Sequence, residues 1–294
     1  GRYDGTSRFP KDSRFGFFPS FSAGWRISEE GFFESLKDKV NNFKVRYSYG
    51  SLGNQNVSTY AYISSMSTGQ ISYLVDNTKL NVVNNPAPVA KNLTWEKSIT
   101  NNLGMDIDVL NSRLSFSGDY YIRDTKDMLT KGKVLPSVFG ASEPKENAAD
   151  LRTKGWELSL SWKDKFEIMN KPFSYSLTAV LSDYTSKITK FDNPSGILTS
   201  YYEGQQLGEI WGYTYDGFFK TTEEAQAWAA IVNQDKINKR RVQAPTAELK
   251  KLQAGDITIL DLDGSGIIDT GENTLSNPGD RRVIGNTQPR NSYG

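Results

Sequence analysis

"ITNNLGMDIDVLNSRLSFSGDYYI" (residues 99–122) decides the fold class. Ile99, Leu103, Met105, Ile107 and Val109 fall on one side of a period-two pattern. Thr100, Asn102, Gly104, Asp106 and Asp108 fall on the other. After Asn111 and Ser112 the pattern restarts: Leu114, Phe116, Tyr120 and Ile122 alternate with Ser115, Ser117, Asp119 and Arg123. Period two is the signature of a strand, and a short polar break between two such runs is a hairpin. Each run outlasts the ~5–6 residues of an ordinary strand. Each reaches the ~9–11 residues that a tilted membrane-crossing strand needs.

The same alternation extends outward in both directions. Phe15, Phe17, Phe21, Ala23, Trp25 and Ile27 share a face, as do Phe43, Val45, Tyr47 and Tyr49. Further on, Trp156, Leu158, Leu160 and Trp162 form one apolar row, and Phe173, Tyr175, Leu177, Ala179 and Leu181 form another. The opposite faces hold Ser, Thr, Asn, Asp, Arg and Lys. Trp25, Tyr120, Tyr121, Trp156, Trp162 and Tyr175 cluster near strand ends, where a membrane barrel carries its aromatic girdles. Short turns (108–114, and less tightly 163–172) alternate with long polar stretches (50–94, 129–150), as the two rims of such a barrel do. A soluble sandwich, with the apolar face as its core, fits the alternation alone equally well.

Two helical pieces are expected between strands. Residues 28–38 open with Ser28 as N-cap. Residues 221–234 open with a Thr221–Glu224 capping box and present Ala225, Trp228, Ala229 and Val232 on one face. Residues 246–252 add a further turn, so 220–252 reads as a helical insertion in an external loop. The basic trio Lys239, Arg240 and Arg241 reads as a solvated loop face.

Composition excludes several chemistries. The 294 residues contain no Cys and no His and carry a formal net charge of +1. That removes thiolate nucleophiles, disulfides and the commonest general base and transition-metal ligand. Bulk charge gives no attraction for nucleic acid. Acidic residues abound, but nothing singles out a glycosidase pair. The chain reads as no enzyme.

Residues 261–272, "DLDGSGIIDTGE", have the spacing of a calcium loop within an Asp/Gly-rich segment, 255–285. In that pattern alternate side chains supply oxygens, position 7 a carbonyl and position 12 a carboxylate, with Gly at position 6. The ligands would be Asp261, Asp263, Ser265, the Ile267 carbonyl, Asp269 and Glu272, with Ile268 anchoring the loop. "DITIL" (256–260) reads as a strand, and no amphipathic helix follows. The two reorienting helices of a sensor are missing, so calcium (Ca2+) would staple a loop.

Several segments in order resemble the barrel of SusC-like TonB-dependent transporters of Bacteroidetes. They are "RFGFFPSFSAGWRISEE" (14–30), "VRYSYGSLGNQN" (45–56), residues 92–129, "LPSVFGASEPKENAADLRTKGWELSLSW" (135–162) and residues 255–294. The resemblance implies an all-β fold: a 22-stranded antiparallel transmembrane barrel of the outer membrane with long extracellular loops. Residues 1–294 would be a C-terminal portion of it, without the plug and the final strands. It implies TonB-dependent uptake of glycan oligosaccharides or peptides, a SusD-like surface lipoprotein as lid, TonB contacted through the N-terminal region, and contact with outer-membrane lipid. Tyr201, Tyr202, Trp211, Tyr213 and Tyr215 are candidates to stack on substrate. The alternative is a soluble secreted β-rich glycan-binding protein with a calcium-stapled loop.

Overall fold

The computed structural model describes residues 1–132, 135, 137–235 and 251–294. The chain divides into two units, residues 1–192 with 290–294, and residues 193–289.

The first unit is built on β1 (Arg2–Gly5), β2 (Phe15–Phe18), β3 (Ser20–Arg26), β4 (Val40–Asn54), β5 (Thr68–Gln70), β6 (Asn81–Val83), β7 (Glu96–Val109), β8 (Leu114–Lys131), β9 (Lys145–Ile168) and β10 (Lys171–Phe191). The second holds β11 (Glu209–Tyr213), β12 (Tyr215–Phe218), helix α1 (Thr222–Ala229), β13 (Ile257–Ile259) and β14 (Arg281–Asn286). The chain then returns to the first unit as β15 (Ser292–Tyr293).

A seven-stranded antiparallel meander, in the order β15-β10-β9-β8-β7-β4-β3, dominates the first unit. Its register sorts the side chains into continuous rows. Leu103 lies opposite Tyr120, Tyr120 opposite Trp156, and one row on Gly118 lies opposite Leu158 and Leu158 opposite Leu181. Phe116–Leu160–Ala179 and Leu114–Trp162–Leu177 continue the apolar face. From Leu114 to Ile122 this band spans about 27 Å along the strand at ~3.4 Å per residue. Tilted by ~35–45° as barrel strands are, that covers about 19–22 Å of depth, most of the ~25 Å apolar band of an outer-membrane barrel.

Leu103 is 55% exposed, Leu160 46% and Leu177 66%. A soluble sandwich would bury these residues between two sheets. Here they stand on an open face, so the sandwich alternative does not describe this sheet. The apolar face is built to meet lipid.

The opposite face is polar and tied together. Arg46 of β4 donates to Asp106 of β7 at 2.7 Å and to Asp119 of β8 at 3.0 Å. Asn102 and Ser117 complete the network on Asp119 and Asp106 at 2.8 Å each. Reaching β8 from β4 requires crossing β7, and the residue crossed is Gly104. A Cβ there would come within 2.5 Å of the Asp119 carboxylate and 2.8 Å of the guanidinium. Glycine at this one position is what lets the ion pair span three strands.

The two tightest turns share one rim and the two longest connections share the other. At one rim the connections are residues 27–39, 110–113 and 169–170; at the other they are 55–95, 132–144 and 192–291. Short turns mark the periplasmic rim and long loops the external rim. The loops are themselves packed: Phe9, Phe18, Val57, Leu93 and Trp95 form a buried cluster.

Four local expectations change. Phe15–Ile27 is not one strand: Pro19, unable to donate to a ladder, separates β2 from β3, and Phe18 turns inward to be buried. Residues 28–38 are not a Ser28-capped α-helix but two 3-10 pieces, Ile27–Glu29 and Gly31–Leu36, with Ser28 buried. Gly31 follows an extended Glu30, and six residues are too few to nucleate an α-helix unaided. The turn within 163–172 is tighter than its sequence implies. β9 and β10 run to Ile168 and from Lys171, and both Met169 and Asn170 have positive φ. That is the two-residue geometry whose twist matches the strands. Finally α1 stops at Ala229. Ala225 and Val232 are buried and Trp228 half-buried, but Ala229 is exposed. Thr221 caps α1 as expected, accepting from the Glu224 N–H at 3.2 Å, while the Glu224 carboxylate reaches the Lys220 N–H instead of Thr221. Lys239, Arg240, Arg241 and most of 246–252 lie outside the described residues.

Candidate functional site

Two features of the second unit carry candidate chemistry: the acidic loop and the aromatic residues on the strands beside it. The loop follows β13, which pairs with β12. Leaving β13, the chain must turn within a few residues, and Gly264 and Gly266 adopt φ of +73° and +74° to do so. L-residues rarely take that backbone, so the glycines set the turn.

The loop's own side chains hold it. Asp261 accepts from the N–H groups of Gly264 and Gly266 at 2.8 Å each and of Ser265 at 3.2 Å. Asp263 accepts from the Ser265 N–H at 2.9 Å. The Ser265 hydroxyl and N–H hold the Asp263 carboxyl below its usual range. The Ser265 hydroxyl oxygen also lies 3.1 Å from the Ile267 carbonyl and accepts from the Ile267 N–H at 3.2 Å. Ile268 is fully buried. The Asn233 N–H donates to the Gly266 carbonyl and the Ile268 N–H to the Asn233 carbonyl, 2.8 Å each. The loop is thereby laced to the segment that follows α1.

Asp261 and Asp263 meet a third carboxylate, Asp280. One oxygen from each of the three lies within 4.8 Å of the others. Asp269 and Glu272 are not members of this group. Asp269 instead accepts from the Gly271 N–H at 2.7 Å, and Glu272 is exposed at a turn where its N–H donates to the Asn277 carbonyl. Asp280 is fully buried, and its two oxygens accept from the Leu262 N–H at 2.8 Å and the Asp269 N–H at 2.9 Å. It thus joins both ends of the loop. No twelve-residue template reaches it, because it lies eight residues beyond the last template position. Its signal in the sequence is the "NPGD" turn (277–280), which folds the chain back onto the loop. Three all-oxygen donors this close make a set that could hold a hard divalent cation. A cation there would offset their mutual repulsion.

The candidate aromatics divide. Tyr202 is buried, and its hydroxyl donates to Glu209. Burial, with that carboxylate second, pushes its pKa up to about 12, so it stays a donor at physiological pH. Trp211 and Tyr213 share a face of β11, opposite Val283 and Arg281 of β14, and both are half-buried. Burial raises the Tyr213 pKa. Arg281 opposes that rise, and the charges of Asp269 and Asp280 add to it, which places its phenol beside the acidic loop. Tyr201 is half-buried. Tyr215 on β12 is 65% exposed. The structure therefore commits Tyr202 to internal packing and leaves Tyr215 the most open face.

Comparisons with known proteins bear on the whole chain. A family model described as "TonB dependent receptor-like, beta-barrel" matches residues 1–265. TonB-dependent receptor P39 of Formosa agariphila is 30% identical over 97% of this chain and 28% of its own length. TonB-dependent receptor SusC of Bacteroides thetaiotaomicron is 32% identical over 64% of this chain and 19% of its own length. Among solved structures, the RagAB peptide importer in its closed-closed state superposes with a TM-score of 0.60 at 24% identity, over 74% of this chain and 24% of the importer chain. The chain spans about a quarter or less of the length of each of these relatives.

Proposed function

Because the chain belongs to the TonB-dependent receptor-like β-barrel family, we propose that it forms part of the wall and external loops of an energised importer in the bacterial outer membrane. The observation that carries this reading is the single-layered meander, with its apolar band on one face, the Arg46–Asp106–Asp119 network on the other, and its two longest connections at one rim. The imported molecules are glycan oligosaccharides or peptides, the latter in keeping with the RagAB importer. A SusD-like surface lipoprotein closes over the loops, and TonB supplies the energy through another part of the intact protein. No catalytic group is needed. The polar wall offers a wet path, and the loops meet cargo and lid.

Within the external loops the acidic turn acts as a calcium staple, held by Asp261, Asp263 and Asp280, with the Ile267 carbonyl and Ser265 adjoining. Asp269 and Glu272 complete the shell if the turn at Asn277 opens toward the ion. Tyr215, Tyr213 and Trp211 supply aromatic faces for cargo, and Tyr202 holds their strand in place.

The test is energised uptake in cells. Inactivating the gene for the intact protein should abolish accumulation of either fluorescent oligopeptides or fluorescent oligosaccharides. Collapsing the proton gradient should abolish the same accumulation in unmodified cells. Unchanged uptake of both classes in the inactivated strain would reject the importer reading.

A further inference from the structure

The lipid-facing surface is not uniform. Below the Tyr120–Trp156 row, Gly118 leaves a gap in the apolar band. A groove of about 320 Å³ forms there, walled by Val45, Leu103, Met105, Tyr120, Trp156 and Leu158. On the external side of the same aromatic row the face changes to basic. The next rows toward the external rim are Ile122–Lys154–Thr185 and Asp124–Arg152–Lys187. All three cations are exposed.

These charges are not balanced. Arg152 pairs with Asp124 at 2.7 and 3.1 Å. Lys154 and Lys187 have no ion pair among the described residues, so three cations face one carboxylate. Arg290, on the same external side, is neutralised by Asp183 at 2.9 Å. Arg152 and Lys187 are directly opposite in register, an arrangement that costs stability unless an anion sits between them. Four residues separate Lys154 from Leu158. That places Lys154 about 14 Å from Leu158 along the strand, and the Arg152–Lys187 row about 20 Å.

The geometry points to a binding site for a phosphorylated membrane lipid of the outer leaflet. The phosphate is held by Arg152, Lys154 and Lys187, and an acyl chain lies in the Gly118 groove. The aromatic row separates the two at headgroup depth, where Trp and Tyr settle. Anionic headgroups attract cations just outside a spanning segment. The groove gives the acyl end a shape to fill, which a bare charge patch would not. Neither half uses the acidic loop, so the site is separate from the candidate calcium turn.

The intact protein in nanodiscs tests this. Discs of zwitterionic phosphatidylcholine would be doped with diphosphorylated lipid A or with its dephosphorylated form. Lipid retained after extraction into mild detergent would be counted by native mass spectrometry. Wild type should retain the phosphorylated lipid at least tenfold over the dephosphorylated one, and K154E/K187E should lose that preference. Gly118→Leu, which enters the groove only by displacing the Phe116 ring and Leu158, should lower retention while both lysines remain. Shifted mobility of unheated samples on a gel verifies that each variant is folded. Millimolar inorganic phosphate should not displace the lipid; full displacement would mean a simple anion site and overturn the proposal. Equal retention by wild type and K154E/K187E would overturn it as well.

Discussion

Leu160→Arg should prevent most of the protein from assembling. Leu160 sits in the middle of the apolar band, between Leu158 and Trp162 on its own strand and between Phe116 and Ala179 across the ladder. An Arg on the lipid face at mid-depth costs about 2–4 kcal/mol, which is roughly a 30-fold to several-hundred-fold loss in the assembled-to-unassembled ratio. Its neighbour supplies the control. Ser161 faces the other way, and its hydroxyl shares a 2.8 Å hydrogen bond with Thr178. Ser161→Arg should cost about 1 kcal/mol, the worth of that bond. Assembly is read as the fraction showing folded mobility in unheated gels of outer membranes. A soluble core on the Leu160 side would give the same pattern, but Leu160 is 46% exposed and no such core covers it among the described residues.

Asp280→Ala should carry the second large effect, confined to the second unit. The residue is fully buried and satisfies two backbone N–H groups, those of Leu262 and Asp269. Removing it orphans both donors, at about 1–3 kcal/mol each. The loop should open, seen as fast amide exchange at Leu262 and Asp269 and as new proteolytic cuts within 261–280. The same change removes one of three carboxylates from the candidate calcium site. Calorimetric titration of the intact protein should show calcium binding that Asp280→Ala and Asp261→Ala abolish. Asp280→Asn restores an oxygen acceptor but not the charge, so it should recover part of the loop's protection and little calcium affinity. Equal calcium heats in all four proteins would remove the metal from the account and leave Asp280 a structural pin.

How far the sequence could be read follows from these residues. The strands of 99–122 were legible because their two faces meet different surroundings, so every second residue repeats the same message. Phe15–Ile27 showed the same alternation, yet Pro19 broke the ladder while leaving the pattern intact. At residues 28–38 polar and apolar residues are spaced for one helical face, but Gly31 and the short length let tighter turns win. The Met169–Asn170 turn was obscured because Met is not a usual turn residue; the long ladder on either side imposes its φ. Asp280 was invisible for a different reason. A spacing template searches along the chain, and Asp280 joins the cluster through a reversal at 277–280. The candidate metal site is a property of two segments, and only one carries the motif.

One face of the meander meets lipid, and the other does not. The 294 residues contain no cysteine, so single cysteines can be placed at Leu158, Ser159, Leu160 and Ser161 in the intact protein, once any cysteine elsewhere in it is replaced, and labelled with a fluorophore. Reconstituted with brominated lipids, the labels at 158 and 160 should be strongly quenched and those at 159 and 161 little affected. Equal quenching at all four positions, or the opposite alternation, would contradict the account.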